Sequence, residues 1–140
     1  MQPNHDLSYA FRLKPGEDLC KGIQQFVKDH DIRAGWIQAC VGSLATYNIR
    51  FANKSTPSTD TGHFEIVGLS GTLSNKGSHL HISIADGTGK MIGGHLLTGC
   101  IIYTTAEIII TASARYIFSR AMDGSTPWKE LQITENTNTF

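Results

Sequence analysis

Three histidines, His79, His81 and His95, lie within one strand-like stretch, HLHISIADGTGKMIGGHL. Imidazole nitrogen is a common ligand for divalent metals. Three histidines on rigid elements, with a fourth position left to water or substrate, are the donor set of an open zinc site. The alternative is a solvated strand face that carries histidine without a metal. Which holds depends on whether the three rings meet.

Residues 79–84 alternate strictly, so His79, His81 and Ser83 share one strand face and Leu80, Ile82 and Ile84 the other. Asp86, Gly87, Thr88 and Gly89 supply turn chemistry, and a second strand-like run from Met91 to Leu97 carries His95 after Gly93 and Gly94. This reads as a hairpin. A loop of Gly87, Thr88 and Gly89 pairs Asp86 with Lys90 and puts His81 directly opposite His95, with His79 diagonal to it. A loop one residue longer would send them to opposite faces. Glycine at the third loop position suits the left-handed residue of the shorter turn, whereas a bulge at Gly93 or Gly94 would change the count.

Other polar residues could join such a site. Glu65 lies on the strand face opposite Phe64 and Ile66; it reads either as an exposed or ion-paired carboxylate, or as an outer-sphere partner or general base beside a metal. Arg50 closes a strand-like run from Ala45 to Phe51, as a solvated or ion-paired cation or as a cleft contact. Glu107 interrupts the apolar run Ile101 to Ala112. Ile108, Ile109 and Ile110 suggest a central strand covered on both faces, where a carboxylate would need a partner in a structural role.

The positioning elements follow from pattern. Tyr9, Phe11 and Leu13 alternate with Ser8, Ala10 and Arg12, giving a first strand that Pro15 and Gly16 break. Glu17 and Asp18 place negative charge at the start of a helix, and Leu19, Ile23, Phe26 and Val27 recur at helical spacing, so the helix should run to about Asp29. Trp36 to Val41 reads as a strand that bends at Gly42 and Ser43. The segment ANKSTPSTDT, residues 52–61, reads as a loop, and His63 to Ser74 as the next strand. Beyond Ser113 the pattern fades until DGSTPW, a turn before a short strand from Glu130 to Ile133; the last six residues are polar and expected to fray.

A length of 140 residues fits one domain, residues 1–140 with a core of about 7–133. Lysine plus arginine equals aspartate plus glutamate at 12 each, and no basic cluster stands out. The electrostatic footprint of a nucleic-acid binder is missing, so no autonomous nucleic-acid binding is expected. Cys20, Cys40 and Cys100 are widely spaced without a CxxC pair, which suggests buried thiols in a reducing compartment. Without a signal-like start or an apolar run of about 20 residues, no membrane association is expected and the chain reads as cytoplasmic. A P-loop, a GxGxxG and a serine nucleophile elbow are all missing from the sequence.

GSLATYNIR, GHFEIVGLSGTLS, HLHISIADGTGKMIGGHLLTGCIIYTTAEI and the late ELQI together resemble the PPC domain, the plant and prokaryote conserved domain, over about residues 7–133. The resemblance implies a compact α/β domain, α+β in layout, with a mixed, mainly antiparallel sheet and one principal N-terminal helix packed on it. It also implies a homotrimer. Prokaryotic members with HxH followed by GGH resemble metal-binding proteins, which maps a divalent metal, zinc by donor type, onto His79, His81 and His95. In plant members the domain follows an AT-hook segment and contacts partners partly through GRFEIL; the matching residues here are Gly62 to Val67, with His63 where that motif has arginine. Two functions follow as expectations. One is a metal-dependent small-molecule binding or hydrolytic protein, with Glu65 as a base and Arg50 reaching the cleft. The other is a trimeric interaction or DNA-associated regulatory module without catalysis.

Overall fold

The structure, a computed structural model, describes residues 5–137. Along the chain it forms β1 (Leu7–Leu13), α1 (Leu19–Asp29), β2 (Gly35–Arg50), β3 (Ser58–Leu73), β4 (His79–Ala85), β5 (Met91–Leu96), β6 (Ile101–Ala112), β7 (Tyr116–Met122) and β8 (Lys129–Glu135).

The first six strands form one antiparallel sheet in the order β1-β6-β2-β3-β4-β5. β2 is long enough to serve two neighbours. Its first part pairs with β6, and its end pairs with β5 through Ile49↔Leu96 and Arg50↔His95. The sheet therefore curls until β5 meets β2. Register shifts between Ile37 and Ala39, Gly42 and Leu44, and Leu44 and Thr46 supply the bending, as bulges do in strongly coiled sheets.

The inside of the curl is the core. Leu44, Ile49, Leu73, Ile84, Ile102, Ile108 and Ile110 are essentially inaccessible, and α1 adds Leu19, Cys20, Ile23 and Val27. Asp18 caps α1 by accepting from the Lys21 N–H (3.0 Å), and its second oxygen accepts from the Gly99 N–H (2.7 Å). One carboxylate thus satisfies an orphan helix donor and pins the β5–β6 connection.

Several sequence expectations shift. β3 begins at Ser58, inside the stretch read as a loop, because Ser58, Thr59, Asp60 and Thr61 pair with β2 without any apolar alternation. β6 is covered on one face only: Ile109 is 39% exposed, and Glu107 is exposed beside it rather than buried, so it has no need of a buried partner. Segment 116–122, where the pattern faded, is a strand, and it pairs with β8 as a separate two-stranded sheet. Of the six C-terminal residues expected to fray, Glu135 ends β8 and the Asn136 N–H donates to the Arg115 carbonyl (2.7 Å), while 138–140 lie outside the described residues.

Candidate metal centre

The β4–β5 hairpin has the shorter loop. Asp86 N–H donates to the Lys90 carbonyl (3.0 Å), and Gly89 takes φ +81°, the left-handed conformation glycine favours. Asp86 Oδ1 locks the turn, accepting from the backbone N–H groups of Thr88 (2.8 Å) and Lys90 (3.1 Å) and from the Thr88 hydroxyl (2.6 Å). These bonds to its charged form hold the Asp86 carboxyl below its ordinary pKa. The ladder then runs without a bulge from Ala85↔Met91 to His81↔His95.

Gly93 and Gly94 are required by space. A Cβ at Gly94 would sit 2.4 Å from the Arg50 carbonyl oxygen, and one at Gly93 would sit 2.7 Å from that of Ile82. Close approach at Gly94 lets β5 dock on β2, and that docking sets Arg50 opposite His95.

His79, His81 and His95 converge on the outer face. Their ring centroids are 4.8, 5.3 and 5.8 Å apart, and one donor nitrogen from each lies within 4.8 Å of the others. The Nε2 atoms of His79 and His81 are 3.1 Å apart. Two ligands about 2.0–2.1 Å from a tetrahedral zinc ion stand roughly 3.3 Å from each other, so this pair fits such an ion with small ring movements. The same separation suits an N–H···N hydrogen bond between two neutral rings, which a metal would replace.

The electrostatics favour the ligand form. His79 is held below the ordinary histidine pKa by partial burial, then by His81, Arg120 and Arg50, with Glu130 opposing. His95 is held down by burial, then by Arg50 and the other two histidines. Neutral imidazole is the form that binds metal.

The other sequence candidates divide. Arg50 lies in the cleft, lining it with His79 and His95. Glu65 does not reach the group. It pairs with Ala85, four positions along β4 from His81, or about 13 Å at a strand's rise per residue. The cleft's far wall is the β7–β8 hairpin, which contributes Arg120, Trp128, Lys129 and Glu130. Sequence reading missed these four. The signal available was the turn DGSTPW, with Trp128 at its end and a short strand after it.

Residues 2–114 match the Plants and Prokaryotes Conserved (PCC) domain, and the chain belongs to that family. A bifunctional protein GlmU from Synechococcus sp. (strain JA-3-3Ab) is 42% identical over 125 residues, covering 89% of this chain and 20% of that protein. The chain thus spans about a fifth of the length of the curated relatives it matches. A solved structure of a hypothetical protein from Salmonella cholerae-suis shares 36% identity and superposes with a TM-score of 0.92, covering 95% of this chain and 96% of that one. A structure from Bacteroides thetaiotaomicron, described as that of a putative DNA-binding protein, is 22% identical with a TM-score of 0.78 over 89% of this chain and 91% of that one, a likeness of fold.

Proposed function

We propose that this domain holds one divalent metal ion, zinc by donor type, on His79, His81 and His95, and presents its open coordination position to a small molecule in the adjoining cleft. The observation that carries this reading is the convergence of three imidazoles, with donor atoms within 4.8 Å of one another, on a hairpin whose turn fixes the register. When bound, such an ion polarises a ligand oxygen or lowers the pKa of a water. A hydrolytic step would need a base. Glu130, which lines the cleft and accepts from the Thr126 hydroxyl (2.7 Å), is better placed for it than Glu65.

Elemental analysis of wild type and His81→Ala tests the reading. Wild type should carry about one ion per chain. Loss of one of three ligands should weaken binding by more than the roughly 10–100-fold that an outer-sphere change costs. The fold should survive, because the ring projects from a hairpin built by backbone and turn. Stoichiometric metal in the variant would sink the assignment.

The second reading, an interaction module, has its own support. Val41, Val67, Tyr103 and Ile109 leave apolar surface on the outside of the sheet, and we assign that surface to homotrimer contacts. Equal numbers of basic and acidic residues argue against autonomous DNA binding. A gel shift should show no retardation at low salt; tight binding that weakens steeply as salt rises would require a phosphate-contacting surface. Among the described residues no helix is long and apolar enough to cross a membrane. Three free cysteines support a reducing, cytoplasmic setting.

A further inference from the structure

The cleft beside the histidines has a chemistry of its own. It has a volume of about 320 Å³, at the small end of ligand pockets. Three cations line it, Arg50 from β2, Arg120 from β7 and Lys129 from β8, against one carboxylate, Glu130. Among the described residues none of the three has a carboxylate within salt-bridge distance; the ion pair found there is Arg115–Glu135, on the outer surface. Arg50 is half-buried as well, and an anion in the cleft would supply the counter-charge its guanidinium lacks. Arg120 is held in place by donating from Nη2 to the Thr72 hydroxyl (2.9 Å), which ties β7 to β3. Trp128 lies at the rim, 64% exposed, so its ring face is open to a flat ligand group.

We propose that this cleft binds a small organic oxyanion carrying a planar ring, with its carboxylate or phosphate seated among Arg50, Arg120 and Lys129 and its ring lying against Trp128. The inference rests on the metal reading in one respect only: an ion on the histidines gives the oxyanion a further anchor. Arginine suits the head group because its planar fork can meet two oxygens at once.

The test is calorimetric titration of the full chain, zinc-loaded and chelator-treated, with benzoate, phenyl phosphate, inorganic phosphate and neutral benzamide. Benzoate or phenyl phosphate should bind at least about tenfold more tightly than benzamide, and the preference between the two assigns the head group. Arg50→Gln, Arg120→Gln and Lys129→Gln should each weaken the anion roughly tenfold, the range of a lost charge-assisted hydrogen bond. Trp128→Ala should weaken the ring-bearing probe but not inorganic phosphate. If Arg120→Gln unfolds for want of its tie to Thr72, Arg50→Gln and Lys129→Gln decide alone. Equal binding of benzamide, or anion binding unchanged in the arginine and lysine variants, overturns the proposal. Zinc bound stoichiometrically with no anion bound would fail this proposal and leave the metal site standing. Anion binding that persists in a protein unable to hold metal would do the reverse.

Discussion

At the scale of residues, the histidine cluster makes stability depend on pH in a defined direction. His79 and His95 titrate below the ordinary histidine value in the folded, metal-free chain, mainly because part of each ring is removed from water and then because cations and other histidines stand nearby. In the unfolded chain they return to about 6.5. Between the two values the unfolded state binds more protons, so metal-free stability falls as pH drops through the ordinary histidine pKa and goes on falling until the folded rings protonate as well. Asp86 and Asp123, both lowered from 3.8, act further down the scale and do not contribute to that window. Thermal melts in chelator across the range should show the fall, and a His79→Gln/His95→Gln variant should flatten it; an equal slope in the variant would place the dependence elsewhere. The thiols stay out of this window. Burial pushes Cys40 and Cys100 up to about 11, with Glu107 adding to the shift at Cys40, so both remain protonated.

At the scale of elements, the histidine register was legible because it is set locally. Asp86 and Gly89 determine the turn, strict alternation determines the faces, and the pairing of His81 with His95 follows. Arg50 was legible as a candidate, but its position was not, since it depends on β2 reaching past β6 to dock on β5. The hairpin wall was illegible for another reason. β7 carries Ser119 and Arg120 where a buried strand would carry apolar residues, and its ties to the sheet, Arg120 to Thr72 and the Phe118 N–H to the Arg33 carbonyl (2.9 Å), join positions far apart in sequence. Of the two readings open for Glu65, the strand alternation could not choose, because distance along β4 depends on the β3–β4 register, which pairs Glu65 with Ala85. The docking of β5 on β2 can be tested directly. In Gly94→Ala the new Cβ would press on the Arg50 carbonyl (2.4 Å) and on Ile49 Cγ2 (2.9 Å), and the backbone atom cannot swing away. Overpacking of this kind costs about 1–3 kcal/mol, roughly 3–10 °C of melting temperature for a domain of this size. Metal affinity should fall with it, since His95 sits next in the chain. A variant that melts with wild type would mean that β5 is not held against β2.

At the scale of the whole molecule, the outer sheet face is where the chain has unspent apolar surface. Val41 on β2 is 58% exposed and lies in a row that continues through Glu107 on β6 to Arg12 on β1, and Val67 on β3, 52% exposed, adjoins the Gly42↔Ile66 pair. Ile109 follows in the next row between Ala39 and Ala10, while Tyr103 is covered on one side by the stacked ring of His63 (centroids 4.2 Å apart, 15° between planes). Apolar side chains with two charged residues, Glu107 and Arg12, beside them make a surface that self-association can bury, and a small domain gains more from such burial than a large one. Cyclic assembly is the usual closed solution for identical chains. For the homotrimer proposed above, light scattering at micromolar concentration should return three times the 15.3 kDa chain mass. Val41→Lys with Val67→Lys should drive the protein towards the single-chain mass, because each copy would have to bury two ammonium groups without partners. The histidines lie away from this row, on β4 and β5, so metal content per chain should survive the dissociation. A wild-type protein that already scatters as a single chain would remove the trimer and leave these valines as ordinary exposed surface.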